Sequence, residues 1–235
     1  MLKLIKLEWK KNKIGRAVRN ALLLAFILCL FIFAMNFWGI ADDPETGVPD
    51  AAFGMEVISS TVELLTSMAF LIFASVMLSS FIVSSYKNKT MQIMFSYPVK
   101  RQKILISQML AVWIFNAAAL ILTKLLIYGC IQAGSAFMTS SFIIDFDITD
   151  AGFYIQLIVK SLVIITMSFI SLFIGMAMKS SKAVIVSAFL LAVLTQANIG
   201  DLTLRNHAVF PILLTVISLI SAVLSTCRVE QRDLM

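Results

Sequence analysis

The chain has 235 residues, of which 60% are hydrophobic and only 14% charged, and it carries a formal charge of +6. A soluble domain has an apolar share nearer roughly 45 to 50%, so this composition excludes one and points to an integral membrane protein. The apolar runs are near the length of about 20 residues that a membrane-crossing helix needs, and period-two alternation is absent from them, which argues against a transmembrane β-barrel.

Residues 1–18 come first, with Lys3, Lys6, Lys10 and Lys13 at helical spacing in one basic stripe. Leu2, Ile5 and Trp9 flank it on one side and Leu4, Leu7 and Ile14 on the other. Two readings stay open: an amphipathic interfacial helix, or a basic flank with no partner. The apolar run that follows is too long for a signal-peptide core and lacks a small-residue cleavage site, so it reads as a retained span over 20–40.

The next loop holds Asp42, Asp43, Glu45, Asp50 and Glu56 with no Lys or Arg, which places it outside. A second span covers 64–83. The segment 84–103 then brings Lys87, Lys89, Lys100, Arg101 and Lys103, and this basic stretch belongs inside. A third span, 104–130, leads to a loop with Asp145, Asp147 and Asp150. The fourth, 153–178, returns to Lys179 and Lys182 in a tight inner turn; spans over 183–199 and 208–227 follow. Six spans with cytoplasmic N and C termini satisfy the charge rule, Arg205 excepted. The basic residues thus sort by membrane side, and no nucleic-acid partner is expected.

Ionisable groups deep in lipid cost about 2.5–3.5 kcal/mol on insertion scales and usually mark function. Glu63, Lys124 and Lys160 are the candidates, and all three sit near the outer ends of their spans. They either snorkel to the interface, or pair with one another or with Asp145 and line an exit path. Asn36, Gln108 and Asn116 are amides within spans, suited to interhelical hydrogen bonds; Asn116, near mid-depth, is a further candidate for the path. The pairs Ser75 with Ser79 and Ser171 with Gly175 allow close helix approach, a pattern frequent by chance.

No phosphate-binding loop, HExxH, CxxC or GxSxG is present, and one histidine, His207, supplies no two-histidine metal site. Cys29, Cys130 and Cys227 give neither a disulfide framework nor a metal site. An intramembrane enzyme would need clustered His, Asp or Ser at one depth, which the sequence lacks. The chain is therefore read as a non-enzyme whose energy source lies on another chain.

Within 84–103, Tyr86-Lys87-Asn88-Lys89-Thr90, Phe95-Ser96-Tyr97-Pro98-Val99, Lys100-Arg101 and Lys103-Ile104-Leu105 stand between two spans. This pattern resembles the ABC-2 type permeases of bacterial ABC transporters, in particular small subunits serving export of, or immunity to, peptide antibiotics. Gly175 followed by Lys179-Ser180-Ser181 resembles that family's turn between spans four and five. The resemblance covers the whole chain in topology and implies a single permease domain over 1–235, all-α, with six transmembrane helices, an N-terminal interfacial helix and a cytoplasmic coupling helix between spans two and three.

It further implies that Tyr86, Lys87, Lys89, Thr90, Phe95, Tyr97, Pro98 and Arg101 dock on an ATPase subunit. That subunit, not this chain, would hold ATP and Mg. A second permease, identical or not, an amphipathic peptide substrate and membrane lipid complete the expected partners, in the bacterial cytoplasmic membrane. The segment Gly200 to His207 is shorter than the re-entrant helices of lipid and polysaccharide exporters, which favours a small peptide over a bulky glycan. Two alternatives are a non-transporting immunity or scaffold protein, and a permease for a lipid or small hydrophobic drug.

Overall fold

The computed structural model describes residues 8–9, 14–37, 58–83, 101–137, 149–178, 180–196, 198–199, 202–203 and 209–231. Six helices account for nearly all of them: α1 (Ile14–Phe37), α2 (Ile58–Leu78), α3 (Arg101–Phe137), α4 (Ala151–Met178), α5 (Ser181–Gln196) and α6 (Val209–Gln231). A π-helical turn, Ser79–Val83, continues α2. Between α5 and α6, β1 (Asn198–Ile199) and β2 (Leu202–Thr203) form a minimal antiparallel bridge, with Asn198 opposite Thr203.

Among the described residues, four stretches are long and apolar enough to cross a membrane: Ile14–Met35, Ser59–Val83, Gln102–Gly134 and Ala151–Met178. Two further apolar stretches, Ser181–Thr195 and Pro211–Thr226, are shorter. Because lipid offers no hydrogen bonds, backbone groups there must be satisfied within the segment, and helices do this. The molecule is thus a helical membrane protein. Two boundaries differ from the sequence expectation. Helix α1 starts at Ile14, inside the segment read as interfacial, since no helix breaker other than Gly15 separates the basic flank from the apolar run. Helix α5 ends at Gln196 rather than 199, where the chain turns extended to pair Ile199 with Leu202.

Packing divides the chain into two units: Met1–Ile14, Met68–Ala117 and Leu162–Met235 in one, Gly15–Ser67 and Ala118–Ser161 in the other. In the first, Leu71, Met167, Ala188, Ala192 and Leu214 converge from α2, α4, α5 and α6 into a core flanked by Met68, Ile72 and Ile164. Helix α6 enters this packing with a narrow stripe, Leu214, Ser218, Ser221 and Ser225, all buried. The three serines bond carbonyls of their own helix, Thr215, Ser218 and Ser221, at 2.7–2.8 Å. Small, internally satisfied side chains let helices approach closely where no hydrophobic drive exists between them in lipid.

The turn from α4 to α5 shows the same economy of space. Ser180 N–H donates to the Gly175 carbonyl at 3.2 Å, the long bond that closes a helix C-terminus. A Cβ on Gly175 would collide with Cγ2 of Val184. Gly175→Ala is therefore expected to cost about 1–3 kcal/mol through overpacking. Thermal unfolding of the detergent-solubilised chain checks it, and Val184→Ala in the same chain should restore most of the loss.

In the second unit, α1 buries only Ala21, Ala25, Leu28 and Ile32, at spacings of four and three, while Leu22, Phe26, Ile27 and Leu30 stay exposed. Its neighbour is α3: the Phe33 ring occupies the space a Cβ on Gly134 would take, at 2.9 Å. One turn earlier on each helix, the free thiols of Cys29 and Cys130 are neighbours. Both contacts keep the same residue offset, so α1 and α3 run parallel.

Candidate functional site

The site lies within the second unit, where α2, α3 and α4 each contribute one charged side chain. Glu63 is on the first turns of α2, Lys124 in the second half of α3 and Lys160 near the start of α4. The Lys124 ammonium donates to Glu63 Oε1 at 3.5 Å and the Lys160 ammonium to Oε2 at 2.9 Å. One carboxylate thus serves two cations, an oxygen to each. The 2.9 Å contact is a full charge-assisted hydrogen bond, whereas 3.5 Å is the limit of one.

Burial differs sharply across the three: Lys124 is 2% exposed, Glu63 23% and Lys160 53%. A buried ammonium is retained in such a place only with a counter-charge, and Glu63 provides it. The helix faces that aim these groups are set by their neighbours. On α2, Thr61 and Val62 are buried beside Glu63, and on α3, Leu120, Thr123 and Ile127 are buried around Lys124. On α4, Leu157 and Ser161 face inward, so Lys160, just before Ser161, comes to the edge of the packed face.

An aromatic layer holds the three helices one turn further out. Tyr128 Oη donates to the Ser59 carbonyl at 3.5 Å, and its ring meets Phe153 edge to face with centroids 4.9 Å apart. Tyr128 is one turn beyond Lys124, while Ser59 is one turn before Glu63, so α2 runs antiparallel to α3. Asp150 caps α4 by accepting from Gly152 N–H at 3.1 Å.

Both lysines pair with Glu63, the shared carboxylate, and Lys160 stays half exposed; Asp145 lies outside the described residues. Asn116 does not belong to this cluster. It is wholly buried in the first unit, where Nδ2 donates to the Val112 carbonyl at 2.8 Å and lies 3.5 Å from Met77 Sδ. Its Oδ1 has no partner among the described residues, and neither amide atom of the buried Gln108 has one. Gln108 is thus buried without the interhelical bond its residue type suggests.

Two further contacts tie the first unit together and carry no sequence signal beyond the presence of tryptophan. Trp9 Nε1 donates to the Ala111 carbonyl at 3.2 Å, and Trp113 Nε1 to Thr166 Oγ1 at 3.1 Å. The first ties Trp9 to α3. Tyr86, Lys87, Lys89, Thr90, Phe95, Tyr97 and Pro98 lie outside the described residues; Arg101 opens α3.

No protein-family model matches the chain, and no solved structure matches it. The chain is similar to YcbO of Bacillus subtilis (strain 168), an uncharacterized protein, with 24% identity over 240 residues that cover 99% of this chain and 100% of that one.

Proposed function

We propose that the chain is the permease subunit of an ATP-driven exporter of the ABC-2 type, moving an amphipathic or antimicrobial peptide out of the membrane or cytoplasm by alternating access. The observation that supports this reading is the Glu63–Lys124–Lys160 cluster, charged groups joining three long apolar helices in a chain with no phosphate loop or metal motif of its own. In this reading the chain spans the bacterial cytoplasmic membrane six times, and the segment 84–103 is the coupling helix. ATP and Mg sit on a separate ATPase, whose closure pushes on that segment, and a second permease completes the path.

Reconstitution with the ATPase encoded beside it, followed by a screen of amphipathic peptides for stimulated ATP hydrolysis, tests the proposal. Stimulation by at least one peptide is the expected result. Failure to bind any neighbouring ATPase would leave the scaffold or immunity reading in its place. Within the same system, Lys124→Ala and Lys160→Ala should each lower peptide transport at unchanged membrane abundance, because each removes a cation from the proposed exit. Full transport by both variants would detach the cluster from the path.

A further inference from the structure

We propose that Lys160 binds the phosphate of an anionic phospholipid on the outward flank of α4. The inference concerns the same Lys160 that the export reading sets at the exit, is read out by lipid retention and not by transport, and begins with a charge count. Among the described residues, Glu63 brings one negative charge and meets two ammonium groups, at 3.5 Å and 2.9 Å, so one positive charge remains within the cluster. Among the same residues, the buried Lys124 is offset by Glu63 alone. The surplus therefore resides on Lys160, the 53% exposed member. Its ammonium has three N–H donors and gives one to Glu63 Oε2, which leaves two for whatever covers α4.

The surroundings of Lys160 say what that is. Ile155, Ile158 and Val159 on the same stretch of α4 are all exposed, and Gln156, one turn towards the helix start, is exposed too. A cation and an amide set among exposed aliphatic side chains on a membrane helix face a lipid. Depth agrees: Lys160 precedes Met178, the last residue of α4, by 18 residues, about 27 Å of rise against a hydrocarbon thickness of about 30 Å. Its side chain also leans towards the helix N-terminus, which is the outer end in the charge-based topology. The ammonium thus lies at the level of the outer phosphates.

A phosphatidylglycerol supplies a net negative phosphate for Lys160 and Gln156 together with chains for the apolar flank. A phosphatidylcholine carries its own cation and offsets nothing. Inorganic phosphate has the charge without the chains.

The test is native mass spectrometry of the full chain extracted from vesicles of equal phosphatidylglycerol and phosphatidylcholine. The wild type is expected to retain phosphatidylglycerol about fivefold over phosphatidylcholine, the factor that about 1 kcal/mol for one lysine at an anionic surface corresponds to. Lys160→Gln should abolish the preference and Lys160→Arg keep it. Millimolar inorganic phosphate should leave it unchanged. Equal retention of the two lipids by the wild type overturns the proposal without recourse to any variant. So does an undiminished preference in Lys160→Gln, and displacement by inorganic phosphate would show a bare anion site instead of a lipid site.

Discussion

Glu63→Gln is expected to destabilise the inserted chain by about 3–5 kcal/mol, more than the loss of either lysine. The asymmetry follows from one carboxylate facing two ammonium groups. Removing Glu63 leaves Lys124, 2% exposed, as an uncompensated buried charge with Lys160 repelling it from the same site. Removing a lysine leaves the carboxylate still paired. Lys160→Gln should cost less than about 1 kcal/mol, as expected for a half-exposed ion pair, and Lys124→Met, which keeps the buried stem, about as little. The double variant Glu63→Leu with Lys124→Met should recover most of the loss, because a buried pair exchanged for apolar groups is often neutral. Denaturant or thermal unfolding followed by tryptophan fluorescence orders the four variants. A Glu63 variant as stable as Lys160→Gln would show that the cluster holds nothing together.

What the sequence disclosed about this cluster was depth. Counting residues along each apolar run places Glu63, Lys124 and Lys160 at one level of their spans, because helix rise is fixed. Which faces meet is a matter of packing between helices, and no periodicity states it. Glu63 and Asp145 were both available as partners on paper; the fit of Tyr128 against Phe153 and Ser59 puts α2, α3 and α4 in the register that brings Glu63 to both lysines, while Asp145 lies outside the described residues. The helices themselves were legible because 20-residue apolar runs admit little else in a bilayer.

Small residues show the opposite balance. Ser171 and Gly175 form a pair at the right spacing for close approach, yet Gly175 is the one whose missing Cβ admits Val184, while the buried Ser171 hydroxyl has no partner among the described residues. Small-residue spacing is too common to choose between them, and only the course of α5 does so. Gln108 was equally opaque. An amide within a span suggests a hydrogen bond to a neighbour, but no described group reaches it, and a helix-by-helix reading has no means of anticipating an orphan.

Variants of the segment 84–103 are expected to show the largest functional effect under the permease reading: Tyr86→Ala, Phe95→Ala or Tyr97→Ala should lower peptide transport about tenfold or more while basal ATP hydrolysis and membrane insertion persist. Truncating a buried aromatic anchor at an interface costs roughly 2 kcal/mol or more, about thirtyfold in docking. The flanking structure is suited to passing on a push. The π turn Ser79–Val83 leads into the segment, and π turns inside helices often sit at functional sites. Ser79 Oγ also donates to the Ser181 carbonyl at 3.4 Å, so the end of α2 touches the start of α5 as well as preceding the segment. Displacement there acts on two helices at once, and α3 leaves the segment at Arg101. Transport and ATPase measured on the same proteoliposomes separate the outcomes. Loss of both together would mean a missing complex, and unaltered transport in all three variants would remove the segment from the coupling role.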